Sequence, residues 1–139
     1  MIKLPLIQGA FELEITSVDQ DPSGQNWFNL KSKASSENFS GWSSFCASQG
    51  TILTFLEKLR SFDDSMFGNP KLTCGIGETV LFELEFLITD KLGHVGVKLS
   101  LAVEHVTSWG AGNKISLEFD TDIQSVSNFR KDFEVLAYS

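Results

Sequence analysis

The sequence predicts an α+β fold: one antiparallel sheet of about six strands, with two helices packed on one of its faces. Three observations lead there. Most of the chain alternates apolar and polar residues with period two, the signature of half-buried strands. Two stretches instead repeat at 3.6 residues. The two halves also carry the same order of elements, so the 139 residues read as a single domain, 1–139, built from βββα pseudo-repeat halves at 1–64 and 78–139. A chain of this length buries enough surface to fold without a disulfide or a metal.

In the first half, Phe11, Leu13 and Ile15 alternate with Glu12, Glu14 and Thr16. A turn at 19–24 leads to strands over 27–34 and 39–47. From Thr51 the period changes: Ile52, Phe55, Leu56, Leu59 and Phe62 form one apolar stripe on a helix that ends near Ser61. Residues 63–78 are turn-rich, with a short strand near Leu72. In the second half, Val80, Phe82, Leu84, Phe86 and Ile88 share one face, and Glu83 and Glu85 the other. After the turn 90–93, Val95, Val97, Leu99, Leu101 and Val103 form the inner face of the next strand.

Pairing Thr89 with His94 sets Phe86 against Val97, Leu84 against Leu99, and Glu85 against Lys98. A third strand follows with Ile115, Leu117 and Phe119 inward. Pairing Leu101 with Leu117 would set Glu104 by Lys114 and Lys98 by Asp120. Asp122 then caps a helix bearing Val126, Phe129, Phe133 and Leu136. At an offset of 74, Phe45, Ile52, Phe55, Leu59 and Phe62 superimpose on Phe119, Val126, Phe129, Phe133 and Leu136.

Composition excludes several classes. Eighteen acidic residues against eleven basic ones give a net charge of −7, which argues against nucleic acid. No apolar run approaches the roughly 20 residues of a membrane span, and residues 1–12 show no secretory signal. Cys46 and Cys74 carry no pairing motif and read as reduced residues of a cytoplasmic protein.

No chemical motif survives inspection. Asp19, Asp21, Ser23 and Gly24 begin like a calcium loop, but Leu30 stands where the bidentate Glu belongs. A hairpin turn explains the same residues. The segment 74–77 lacks the lysine and the spacing of a phosphate loop. His94 and His105 lie at opposite ends of one strand, roughly 36 Å apart by strand rise, and share no metal. No Ser lies in a nucleophile turn. The reading is therefore no enzyme, no cofactor and no metal.

The helix-free face is more informative. Glu83, Glu85, Glu104, Glu118 and Asp120 fall there against Lys98 and Lys114, with Glu12 and Glu14 on the same face of the first half. Trp27 and Trp42 are polar-face residues by alternation, with Trp42 opposite Lys31 in a cation–π position; Trp109 sits in a Gly-flanked loop. Aromatic residues beside acids suit an interface that steers and anchors a basic protein partner. Trp27, Trp42, Glu83, Glu85, Glu118 and Asp120 are the candidate partner-binding set.

The segment 89–101 (TDKLGHVGVKLSL), followed by Trp109 and by 115–122 (ISLEFDTD) running into the last helix, resembles the WapI-type bacterial immunity proteins and related small bacterial domains of unknown function. The resemblance covers the chain from about residue 39. It implies a cytoplasmic antidote that binds and neutralises the toxic domain of a cognate toxin without doing chemistry. It supplies no catalytic or contact residues. The alternative reading is a small-molecule-binding or structural accessory domain with a Phe-lined pocket between sheet and helices.

Overall fold

The computed structural model describes residues 1–38, 40–76, 79–106 and 112–138. Its elements run β1 (Ile2–Leu6), β2 (Gly9–Gln20), β3 (Asn26–Ser36), β4 (Ser40–Ser48), α1 (Gln49–Ser65), β5 (Lys71–Ile76), β6 (Thr79–Ile88), β7 (His94–Val106), β8 (Gly112–Asp122) and α2 (Ile123–Ala137). The α+β class and the antiparallel pairing match the expectation; the sheet does not. Instead of one six-stranded sheet there are two four-stranded ones, sheet A (β1-β2-β3-β4) and sheet B (β5-β6-β7-β8). Each half is thus ββββα.

β1 is the added strand; β5 is the short strand expected near Leu72, now the first strand of sheet B. In β1, Ile2, Leu4 and Leu6 are buried and alternate with exposed Lys3 and Pro5, a five-residue pattern too short to register beside the longer strands. Each sheet's last strand lies beside the other sheet's first, β4 with β5 and β8 with β1. The helices cross over in the same sense, α1 touching β5 and α2 packing on β1.

Both helices begin at a side-chain cap: Asp122, as expected, and Ser48, which sequence reasoning did not single out. The Ser48 hydroxyl accepts from Thr51 N–H at 3.2 Å, and the Asp122 carboxylate accepts from Ser125 N–H at 2.8 Å, each supplying an orphan first-turn donor with a partner. The predicted stripe of α1 is buried in full. The helix runs to Ser65 rather than Ser61, ending where Met66 takes a left-handed conformation. In α2, Ala137 rather than Leu136 completes the buried face.

Phenyl rings fill the interior. Phe45 of sheet A stacks on Phe82 of sheet B at 4.3 Å, and Phe11 lies 6.0 Å from Phe82 and 6.1 Å from Phe129. Phe86 meets Phe55, Phe62 and Phe129. Where the sheets approach, two buried serines replace apolar residues: Ser32 and Ser43 are direct cross-strand neighbours whose hydroxyls bond at 2.9 Å. Each satisfies the other, so neither is an orphaned polar group.

The β6–β7 hairpin has the predicted register, with Ile88 on Val95, Phe86 on Val97 and Glu85 on Lys98. Gly93 adopts φ +87° in its turn, a conformation that suits glycine. Two other predicted registers are off by two residues. Lys33, not Lys31, faces Trp42. Leu99, not Leu101, faces Leu117, so Lys98 pairs with Glu118 and Ala102 with Lys114. An even slip leaves every side chain on its own face, so the hydrophobic pattern cannot detect it. Val80 also departs from its predicted face. A bulge opposite Cys74 and Gly75 inserts Leu81, so Leu81 and Phe82 are both buried and Val80 is exposed.

Candidate binding faces

The six predicted partner-binding residues fall on two sheets. Trp27 and Trp42 belong to sheet A, and Glu83, Glu85, Glu118 and Asp120 to sheet B. Trp109 lies outside the described residues, as do the side chains of Glu104 and His105.

On the outer face of sheet A, register lines up Lys3, Glu12, Lys33 and Trp42 across the four strands, with Glu14 and Lys31 in the next row. Trp42 is 62% exposed, and the Lys31 ammonium sits 5.0 Å from its ring centroid. The predicted cation–π contact therefore forms, but from the diagonal position. The neighbours of Trp42 are lysines rather than acids. Trp42 stands on β4, three strand spacings (about 14 Å) from β1, the strand that meets β8.

Trp27 has another task. Its indole N–H donates to Asp21 at 3.0 Å, and the other Asp21 oxygen accepts from the backbone N–H groups of Ser23 and Gln25 and from the Ser23 hydroxyl. Asp19 accepts from the Asn29 amide. The carboxylates of the would-be calcium loop are thus occupied in holding the β2–β3 turn, as the turn reading requires. The Ser23 hydroxyl and the Trp27 indole, with the backbone donors, lower the Asp21 pKa from 3.8 to about 2. A carboxyl lowered in the fold stabilises the turn fully above pH 3.8, and this is lost as pH falls through about 2. The Trp27 indole N–H resonance should therefore titrate near pH 2, and Asp21→Asn should remove that transition. A midpoint at the ordinary carboxylate value would show that the bond does not hold in solution.

On the outer face of sheet B the charges alternate. Lys71, Glu85, Lys98 and Glu118 form one row across β5 to β8. Glu83 pairs with Lys71 at 3.0 Å, and the Glu83 hydrogen bond raises the Lys71 pKa. Sequence reasoning missed Lys71 because the strand holding it was not placed in register. Among the described side chains of the patch, Glu83, Glu85, Glu118 and Asp120 face Lys98 and Lys114 with Lys71 added, so Lys71 offsets part of the acidity expected there. Among the described residues the side chains of Glu118 and Asp120 make no ion pair. They flank two clefts, one lined with Leu87, Gly96 and Lys98, the other with Ile7, Gln8 and Ser36.

Other reactive groups serve the fold. His94 bonds to Asp90, which also accepts from Leu92 N–H, so this exposed pair closes the β6–β7 turn. Burial, with a smaller contribution from Cys46, pushes the Cys74 thiol up to about 12, far from the thiolate a nucleophile needs. Among the described residues no three His, Cys, Asp or Glu side chains gather as metal ligands. The Phe residues expected around a pocket pack on one another instead. An open cleft of about 720 Å³ between α1 and β5 is lined mainly by Ser48, Thr51, Thr54, Thr73, Lys58 and Lys71, with Phe55 its one ring.

No family model matches the chain, and no curated protein matches it. The resemblance to WapI-type immunity proteins rests on the residues quoted above. Among the described residues no helix is long and apolar enough to cross a membrane.

Proposed function

We propose that this protein is a non-enzymatic, cytoplasmic binding protein of the immunity type, which sequesters the toxic domain of a cognate bacterial toxin. One observation carries the reading: Trp42 stands 62% exposed on a helix-free sheet face, with Lys31 over its ring. A large aromatic held on a rigid sheet contributes much contact area at little entropic cost, which is the character of an interface anchor. Glu85, Glu118 and Asp120, on the outer face of sheet B and apart from Trp42, would act on a basic toxin domain by long-range steering.

The test is a pull-down with the full chain as bait against the toxin tails encoded beside its gene, scored for a stoichiometric complex and for suppressed toxicity. Trp42→Ala should then weaken the complex by about 2 kcal/mol or more without changing thermal stability. Lost stability with preserved affinity would make Trp42 a structural residue. Glu85→Lys with Asp120→Lys should slow association several-fold at low salt; unchanged kinetics would remove the acids from the interface. No complex with any neighbouring tail would reject the reading.

A further inference from the structure

Strand β8 is the last strand of sheet B. Among the described residues the one backbone hydrogen bond to its outer edge is from Ile7 N–H to Asp120 O, at 2.7 Å. In an antiparallel strand the N–H and C=O of one residue point the same way, and alternate residues share that direction. Asp120 therefore identifies Lys114, Ser116 and Glu118 as the residues whose backbone donors and acceptors face outward. All three are exposed. An unpaired edge of this kind is a template for another strand.

The sequence along that edge is complementary to itself. Two antiparallel copies of β8 related by a two-fold axis at Ser116 place Lys114 of one opposite Glu118 of the other, twice. The same register sets Ile115 against Leu117 on the inner face, both apolar and both partly open to solvent. The outward-facing residues fall into hydrogen-bonded pairs, so Lys114–Glu118 can form a ladder of about six backbone bonds. Ile7, bonded at Asp120, ends it. A one-residue slip would put inward-facing backbone groups at the interface.

We infer that a second copy of this chain pairs along the outer edge of β8, joining the two B sheets into one eight-stranded sheet across an isologous interface. The inference goes beyond the proposed function and stands or falls without it.

Sedimentation of the full chain, with concentration rising to about 1 mM to reach weak affinities, should show a reversible dimer. Ser116→Pro removes an outward N–H, which an edge strand tolerates, and should leave a folded monomer. Glu118→Lys alone, or Lys114→Glu alone, turns both opposite-charge pairs into like-charge pairs and should raise the dimer Kd about tenfold. The double exchange should restore Kd, and this comparison holds even where the proline variant does not fold. A monomer at every concentration overturns the inference and leaves the edge to a strand from another protein. A dimer indifferent to both the proline and the charge exchange overturns it as well.

Discussion

Phe86→Ala should cost about 3–5 kcal/mol of folding stability, the range for deleting a fully buried phenyl ring. Phe86 is fully buried and joins both helices to β6: its ring lies 6.5 Å from Phe55 and 6.4 Å from Phe62 of α1, and 6.2 Å from Phe129 of α2. Truncation removes transfer free energy and leaves a void that both helices border. Against a net stability of about 5–15 kcal/mol for a domain, that is about a fifth of the total or more. Urea unfolding measures it, with an unchanged slope showing that the transition stays two-state. Phe86→Leu should lose about 1.5 kcal/mol or less, because the smaller change in volume is easier to repack. A loss of about 1 kcal/mol or less from Phe86→Ala would mean that the aromatic cluster is not the hub of the core.

Arg130→Ala should be nearly as damaging, by about 3–5 kcal/mol, for an electrostatic reason. The Arg130 side chain is 8% exposed and donates from Nη2 to Asp63 of α1 and from Nη1 to Glu134 of α2, both at 2.9 Å. Its removal leaves Asp63 mostly buried with no counter-charge. Arg60 also reaches Glu134, at 3.1 Å, but is 62% exposed, so Arg60→Ala should cost less than about 1 kcal/mol. One glutamate thus has two arginine partners, and burial decides which matters. Comparable unfolding midpoints for the two variants would refute that ordering.

Much of the fold was legible because alternation and helical spacing record which side of an element is buried. The stripe from Ile52 to Phe62, the cap at Asp122, and the hairpin closed by Gly93 are local patterns that short-range chemistry enforces. The Asp21 turn was legible for the same reason. In the β6–β7 hairpin, where apolar pairs on one face and the Glu85–Lys98 pair on the other agree, register followed too.

Where the connection left register undetermined, pattern alone gave the correct faces and the wrong partners. Trp42 was placed opposite Lys31 and Leu101 opposite Leu117, each two residues from the observed pairing, because a slip of two preserves every inward and outward position. By itself the sequence determined the class, the two helices and their buried stripes, and the outward direction of Trp42, Glu85 and Asp120. Only the tertiary structure decided that β1 and β5 divide the strands into two sheets. It also placed Trp42 and the acids on separate faces, gave Glu83 a partner in Lys71, and set Arg130 between two helices. These outcomes depend on which distant segments meet, and burial periodicity carries no record of that.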